Sequence, residues 1–224
     1  QSNGKDEALM TFNELNTFFH EFGHAMHIIL GKNEFAGQYA FEVPRDFVEL
    51  PSQLLENWIE DPVILKTISS HYKTGEALSD ALIEKRLRLL GFCRGIGIAT
   101  QLYYGMLSLH YFGNDIHASL ASVAQEIAEK NQMFVAYDPD THFYCSFGHL
   151  SGYGAAYYGY LWSLVFADDV FEQIKKEGLL SAQAGLRYQN AIIGRGGSCD
   201  AYDMLRDYLQ RDPLPDAFYK KLGL

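Results

Sequence analysis

Residues 20–24 read His20-Glu21-Phe22-Gly23-His24, set inside a continuous amphipathic stretch that predicts a helix. On a helix, residues four apart lie on the same face, so the side chains of His20 and His24 can bind one metal ion. Glu21 leaves the same turn, close enough to polarise a water molecule on that metal without ligating the metal itself. This H-E-x-x-H pattern therefore makes a zinc hydrolase the leading hypothesis.

The sequence around this pattern predicts a chain built mainly of α-helices. Thr11 and Glu14 form the pattern of a capping box at the start of the first helix, and Gly31 is a plausible stop. Helical periodicity predicts further helices over residues 48–60, 62–72, 76–91, 94–112, 117–131, 155–176, 182–193 and 201–209, and near the C-terminus. Residues 32–47 and 134–152 are predicted as connections. Because strand-like alternation is scarce and no repeat or linker is evident, the fold class is predicted as one mainly α domain.

Composition excludes several classes of partner. The 224 residues carry a formal net charge of −10, and such a surface repels phosphate backbones, so no nucleic acid partner is expected. No apolar run is long enough to span a bilayer, which argues against a membrane partner. The three cysteines are widely spaced and form no C-x-x-C pair, which indicates reduced thiols and a cytoplasmic location: Cys93, Cys145 and Cys199.

A catalytic zinc site needs a third protein ligand and leaves one position for water. The second predicted helix offers Glu49, Gln53 and Glu56, which share one face. The carboxylate of Glu49 would complete a His₂Glu set, while Gln53 or Glu56 could orient a ligand imidazole by accepting its other N–H. The alternative is that these three side chains form a solvated helix face, and the spacing alone leaves both readings open.

His27 lies three residues beyond His24 and complicates the first helix. It could be a rival ligand, an outer donor or a packed core histidine. A third ligand from the same helix would crowd one side of the ion, which favours the last two roles.

The chemistry of such a site follows from its ligands. Zinc lowers the pKa of a bound water and polarises a peptide carbonyl. Glu21 would accept the proton of that water and later deliver it to the leaving nitrogen. A hydrogen-bond donor for the developing oxyanion would still be needed.

Residues 147–160, FGHLSGYGAAYYGY, are the candidate source of that donor. Tyr153, Tyr157 and Tyr160 fall at i, i+4 and i+7 after His149, on a glycine-rich turn that leads into a helix. They could line one side of a cleft, and the glycines would let a substrate backbone approach. The alternative is an aromatic helix face in the core, which composition alone slightly favours.

Together these motifs resemble the zinc oligopeptidase family typified by thimet oligopeptidase, neurolysin, bacterial oligopeptidase A and dipeptidyl carboxypeptidase. The resemblance runs from about residue 9 to residue 224, and its motifs occur in the family's order: HEFGH at 20–24 with His27, FVELPSQ at 47–53, ENW at 56–58, the segment 147–160 and GGSCDA at 196–201. It implies a multi-helical, zincin-type catalytic domain with one zinc ion per chain. The implied ligands are His20, His24 and Glu49.

The resemblance also implies how substrate is bound. His149, Tyr153, Tyr157 and Tyr160 would border the substrate, with Gly152 beside them, and Tyr157 and Tyr160 would stabilise the transition state. The expected substrates are short peptides that enter a channel between two lobes. Family members usually have one more residue before the tyrosines, with Gly-Gly-Tyr where this chain has Ser151-Gly152-Tyr153.

Family members also carry several hundred residues ahead of the zinc helix. We therefore expect residues 1–224, which begin with Gln1 rather than Met, to be the C-terminal, zinc-bearing portion of a longer peptidase. Its partner would be the missing N-terminal lobe of the same protein. Whether cleavage is internal or releases C-terminal dipeptides is not encoded in these motifs.

Two alternatives to an active peptidase are considered. One is a folded fragment that binds zinc without turnover when isolated from its N-terminal lobe. The other is a helical di-iron protein, because residues 21–24 also read E-x-x-H. Di-iron bundles need a second E-x-x-H on another helix, and the sequence has none.

Overall fold

A computed structural model describes residues 9–113, 119–131 and 136–224. Those residues form helices, turns and connections without a β-strand, which confirms the mainly α prediction. The described part contains these α-helices in chain order: α1 Phe12–Ile29, α2 Leu50–Glu56, α3 Pro62–Ile68, α4 Asp80–Gly91, α5 Arg94–Tyr111, α6 Leu120–Lys130, α7 Phe143–Ser146, α8 His149–Gly152, α9 Gly159–Glu177, α10 Ala182–Tyr188, α11 Ala201–Leu209 and α12 Asp216–Leu222. None of them is long and apolar enough to cross a membrane.

Helix α1 begins at the predicted capping box. The Glu14 carboxylate accepts a hydrogen bond from the Thr11 backbone N–H at 2.7 Å, and the Thr11 hydroxyl accepts one from the Glu14 N–H at 3.3 Å. These two bonds satisfy backbone donors that the first helical turn leaves without partners. The helix ends at Leu30, followed by Gly31.

Helices α1 and α2 cross in direct backbone contact at Gly23. A Cβ atom on Gly23 would lie 2.5 Å from the Cα of Ser52 and 2.6 Å from the carbonyl oxygen of Pro51. Pro51 is tolerated here because it falls in the first turn of α2, where its missing N–H costs no hydrogen bond. The absence of a side chain at Gly23 therefore lets the histidine face of α1 approach the start of α2.

The largest core packs α2, α9 and α11 against one another. Its nearly fully buried side chains include Leu50, Leu54, Val170, Met204, Leu205 and Tyr208. The buried carboxylate of Asp169, on α9, accepts two hydrogen bonds from Arg211, at 2.6 and 2.7 Å. Helix α2 is therefore held between contacts with α1 and contacts with α9.

The connection between α1 and α2 is mostly loop, as predicted, and a turn near the C-terminal end of the chain supports it. Gly196 has a left-handed φ of +47°, and a Cβ atom there would collide with the carbonyl oxygen of Gln38. A Cβ atom on Gly197 would lie 2.5 Å from the carbonyl oxygen of Glu42. These two glycines let the turn pack backbone to backbone against the loop.

Several predicted helices are interrupted. The prediction over 48–60 resolves into α2 and a 3₁₀ segment at Asn57–Glu60, and that over 182–193 into α10 and a π segment at Gln189–Ile193. The prediction over 155–176 becomes a 3₁₀ turn at Gly154–Ala156 and then α9. These segments share the apolar spacing of an α-helix, so periodicity does not distinguish them.

Other predicted helix boundaries differ from those in the structure or fall outside the described residues. The helix predicted over 62–72 ends at Ile68, and the one predicted over 76–91 begins at Asp80. The predicted start of the helix over 117–131 lies outside the described residues, and its described part is α6. Residues 134 and 135 of the predicted connection also lie outside them, and the rest of that connection contains α7 and α8.

Candidate active site

Three predicted ligands converge where α1 meets the start of α2. The Nε2 atoms of His20 and His24 lie 3.3 and 3.1 Å from the same oxygen, Oε2 of Glu49. Within the described ranges, these residues are the one group of three whose histidine and carboxylate donor atoms all lie within 4.8 Å of one another. Two imidazoles and a carboxylate are a donor set that suits zinc in a catalytic site.

Glu56 orients the first of these imidazoles. Its Oε1 lies 2.6 Å from Nδ1 of His20, and its Oε2 accepts a hydrogen bond from Asn16 at 2.9 Å. Because a carboxylate only accepts, Nδ1 carries the proton, as an imidazole that binds metal through Nε2 requires. Burial lowers the pKa of His20, but its hydrogen bonds to Glu49 and Glu56 outweigh burial and raise that pKa to about 10.

Glu49 is nearly buried, at 6% exposure, yet its environment keeps it charged. Burial alone would raise the pKa of this carboxyl. Hydrogen bonds from His20, His24 and Tyr153 lower the pKa by more than burial raises it, so the net pKa lies well below its usual value. The site therefore holds an ionised carboxylate ready to accept a cation.

The other two candidates near the ligands have different surroundings. Gln53 donates a hydrogen bond from Nε2 to the carbonyl oxygen of Tyr160 at 2.9 Å, so it helps to hold the segment 147–160 in place. His27 is 1% exposed and lies outside the ligand group. Burial, reinforced by the nearby His24, lowers the pKa of His27 to about 4. Its surroundings are those of a neutral core histidine.

Glu21 is exposed on α1, next in sequence to the candidate ligand His20. Its carboxylate belongs neither to the ligand group nor to an ion pair within the described residues. Its side chain is therefore accessible to solvent.

Three of the predicted substrate-side residues connect to the candidate ligands. The hydroxyl of Tyr153 donates a hydrogen bond to Oε1 of Glu49 at 2.9 Å, and the Tyr153 ring stacks on Tyr160 with centroids 5.3 Å apart. The Tyr160 hydroxyl in turn lies 3.2 Å from Nε2 of His149. The segment after α7 thus reaches the candidate metal ligands through the Tyr153 hydroxyl, and the ring stack joins Tyr160 and His149 to Tyr153.

The two remaining predicted residues are placed differently. The ring of Tyr157 is 7% exposed and packs against Phe147 and His149, and its hydroxyl donates to Oε1 of Gln101 at 3.0 Å. The carbonyl oxygen of Gly152 accepts a hydrogen bond from Arg45 at 2.6 Å. In this arrangement the Tyr157 hydroxyl is directed to Gln101, on α5.

The tyrosine hydroxyls in this cluster remain protonated at neutral pH. Burial is the main cause that raises the pKa of Tyr157, to about 12. Burial also raises the pKa values of Tyr153 and Tyr160, and the nearby Glu49 carboxylate adds to this effect. These residues are therefore neutral hydrogen-bond donors.

Sequence reasoning missed two contacts from the loop between α1 and α2. The guanidinium of Arg45 lies 5.2 Å from the centroid of the Tyr153 ring, and the Phe41 ring lies 5.7 Å from that of His24. Both residues follow no helical period. Their contacts depend on the path of the loop, which the turn at Gly196 and Gly197 supports.

The chain matches one peptidase family and several peptidases of known name. The sequence profile of Peptidase family M3 matches residues 1–224. The chain is 36% identical to saccharolysin from Saccharomyces cerevisiae over 97% of its length and 31% of that relative's length. It is 37% identical to oligopeptidase A from Escherichia coli over 99% of its length and 33% of the relative's.

A third relative is mitochondrial intermediate peptidase from Rattus norvegicus, at 32% identity over 96% of this chain and 30% of the relative. The chain therefore spans about a third of the length of the curated relatives it matches.

Proposed function

This chain belongs to Peptidase family M3, and on that basis we propose that it carries the catalytic centre of a zinc-dependent oligopeptidase that hydrolyses peptide bonds in short peptides. The observation that carries the proposal is the convergence of His20 and His24 on one oxygen of Glu49, at 3.3 and 3.1 Å. The names of the relatives, an oligopeptidase among them, support peptides as the substrate class.

The residues that would hold one zinc ion per chain are His20, His24 and Glu49. When bound, the ion would supply Lewis acidity, which polarises a peptide carbonyl and acidifies a water molecule. Glu56 would fix the tautomer of His20 through its contact with Nδ1 at 2.6 Å.

Glu21 is the proposed general base and acid. Its exposed carboxylate would take a proton from the water that attacks the carbonyl carbon, and would deliver it to the nitrogen as the C–N bond breaks. Its position one residue after His20 on α1 supports this role, and its carboxylate is not a member of the candidate ligand group.

Tyr160 and Tyr157 are the proposed donors to the oxyanion that forms at the carbonyl oxygen. Their raised pKa values keep both hydroxyls protonated, as a donor requires. Tyr160 is the better placed in the present arrangement, because the Tyr157 hydroxyl is bonded to Gln101. His149, 3.2 Å from the Tyr160 hydroxyl, would orient that hydroxyl or a substrate carbonyl.

A second candidate function is zinc binding without turnover. It is favoured by the exposed apolar side chains on α1, where Phe18, Phe22 and Ile29 are 53%, 46% and 70% exposed. We propose that an N-terminal lobe of the same protein covers this face, and that the ligands at 20–49 can bind zinc before it does.

The compartment is also a proposal. All three cysteines are free, and two of them, Cys93 and Cys145, are exposed, which suits a reducing compartment such as the cytoplasm.

Metal analysis combined with a peptidase assay tests the proposal. We expect about one zinc per chain, and cleavage of short internally quenched peptides that 1,10-phenanthroline abolishes and added zinc restores. Oligopeptidase A from Escherichia coli serves as the positive control. Zinc binding without cleavage would favour the second function, and absence of zinc binding would contradict both.

A further inference from the structure

We propose that Tyr153 is a positioning residue for the candidate metal ligand Glu49. The inference rests on the proposed function, and it changes the role expected for Tyr153, which the family resemblance implied to be substrate binding. Its hydroxyl donates to Oε1 of Glu49 at 2.9 Å, while Oε2 of the same carboxylate faces His20 and His24. Oε1 thus accepts from the tyrosine, while Oε2 faces the two histidines and also accepts a hydrogen bond from the Ser52 hydroxyl at 3.1 Å.

This arrangement of the two oxygens determines how Glu49 can bind a metal. Because Oε1 accepts the hydrogen bond from the Tyr153 hydroxyl, Oε2 is the oxygen that faces His20 and His24. Glu49 would therefore bind the metal through one oxygen. Hydrogen bonds to the far atom of a ligand fix its orientation and tune its affinity for metal. Glu49 is 6% exposed, so water is a poor substitute for the tyrosine hydroxyl at Oε1.

The Tyr153 ring is held in place by its surroundings. The Arg45 guanidinium lies 5.2 Å from the ring centroid and also donates to the carbonyl oxygen of Gly152 at 2.6 Å. The ring stacks on Tyr160 with an interplanar angle of 22°. The backbone N–H of Tyr153 donates to the carbonyl oxygen of His149 at 2.7 Å. These contacts fix the position from which the Tyr153 hydroxyl donates to Glu49.

This contact links the metal ligands to the proposed substrate side of the site. Tyr153 lies in the same segment as His149 and Tyr160, and Arg45 ties that segment to the loop before Glu49. A displacement of the segment would release Oε1 of Glu49. Metal affinity would then depend on a residue that contributes no ligand atom.

The test compares Tyr153→Phe with a matched control, Tyr158→Phe. Tyr158 is in the same segment, but its hydroxyl donates to Asp46 at 2.7 Å, away from the ligands. The zinc dissociation constant of each protein is measured by competition with a chromophoric chelator. We expect roughly 10- to 100-fold weaker zinc binding for Tyr153→Phe and an unchanged constant for Tyr158→Phe.

Two further measurements separate positioning from a general loss of structure. Urea unfolding of the zinc-free proteins should give a somewhat lower midpoint for Tyr153→Phe, because a nearly buried carboxylate oxygen loses its hydrogen bond, but a cooperative transition of the wild-type slope, which shows that the fold is kept. Arg45→Gln, which removes the cation beside the ring and leaves the hydroxyl, should weaken zinc binding by a smaller factor than Tyr153→Phe.

The outcomes distinguish this inference from the proposed function. If wild type binds zinc and Tyr153→Phe binds it equally well, the positioning role is wrong and the metal site stands. Equal weakening by Tyr153→Phe and Tyr158→Phe would also overturn the role. If wild type does not bind zinc, the proposed function itself fails.

Discussion

The carboxylate of Glu56 lies 2.6 Å from Nδ1 of His20, while Nε2 on the far side of the same ring lies 3.3 Å from Glu49. One imidazole therefore lies between two carboxylates, only one of which belongs to the candidate ligand group. Because Nδ1 donates its proton to Glu56, Nε2 is the ring nitrogen that would bind a metal, and the metal would take the place of the proton that Nε2 shares with Glu49.

We expect Glu56→Ala to weaken zinc binding by roughly 10- to 100-fold, since the His20 ring loses the acceptor that orients it. The zinc dissociation constant is measured by chelator competition. Glu34→Ala, which removes an exposed carboxylate from the loop after α1, is the matched control. Equal affinity of Glu56→Ala and wild type would show that the contact does not tune the site.

Glu21→Gln should separate metal binding from chemistry. The neutral amide cannot accept a proton from water, so we expect kcat to fall by roughly 10²- to 10⁴-fold. Zinc content should stay at the wild-type level, because Glu21 lies outside the ligand group. Retention of full activity by a zinc-loaded Glu21→Gln protein would contradict the assigned base.

Tyr160→Phe should lower kcat by roughly 10²- to 10³-fold with little change in zinc affinity, because it removes a hydroxyl donor but no ligand. Tyr157→Phe should have a smaller effect, since its hydroxyl is already bonded to Gln101 at 3.0 Å. The measurement is kcat and KM for one quenched peptide with both variants. The reverse order of effects would mean that Tyr157 turns toward the substrate during the reaction.

Gly23→Ala should separate α1 from α2. The added methyl would lie 2.5 Å from a backbone atom of Ser52, which cannot move aside like a side chain, so we expect about 1–3 kcal/mol of destabilisation. Zinc affinity should fall as well, because the crossing brings the ligands together. Urea unfolding and chelator competition provide the two readouts.

The control for that substitution is Gly185→Ala, on α10. A Cβ atom there meets no heavy atom within 4 Å, and alanine favours the helix, so we expect about 0.5–1 kcal/mol of added stability. Destabilisation by both variants to the same extent would refute the argument from the helix crossing.

His27 should make stability depend on pH on the acid side. Its pKa is lowered to about 4 in the folded protein from an ordinary value of 6.5, so only the unfolded chain takes up a proton between those values. Stability should therefore fall as the pH falls from about 6.5 to about 4, by up to about 3 kcal/mol.

His27→Leu removes this proton uptake, because it replaces the imidazole by an apolar side chain of similar size that does not titrate. Urea unfolding of the zinc-free proteins across this pH range should give a shallower slope for the variant. Parallel curves for wild type and His27→Leu would mean that His27 is not the group responsible.

The helical character and several boundaries were predictable because local patterns set them. The capping box at Thr11 and Glu14 determines the start of α1, and the helix predicted over 201–209 agrees with α11. The 3₁₀ segment at Asn57–Glu60 and the π segment at Gln189–Ile193 were not predicted. Their apolar residues face the core at helical spacing, and tertiary packing decides how tightly the backbone winds.

The candidate site was predictable to a similar degree. The pentapeptide marks two ligand candidates and the next predicted helix offered Glu49 as a third, but the spacing alone left that role open and the resemblance then favoured it. In the folded chain each has different neighbours: Glu49 meets both histidines, Gln53 bonds to the Tyr160 backbone and Glu56 bonds to His20. The contact of Arg45 with Tyr153 was beyond prediction, since it depends on a loop path and not on a period.

The turn at Gly196 and Gly197 has a consequence for the order in which the site assembles. The ligand candidates lie within residues 20–49, yet the loop between their helices is bonded to residues much later in the chain, as in the contact of Asn33 with Arg195, 162 positions away. During synthesis the histidines and Glu49 leave the ribosome long before this turn exists. We therefore expect high-affinity zinc capture to be a late event in biogenesis, after nearly all of this chain has been made.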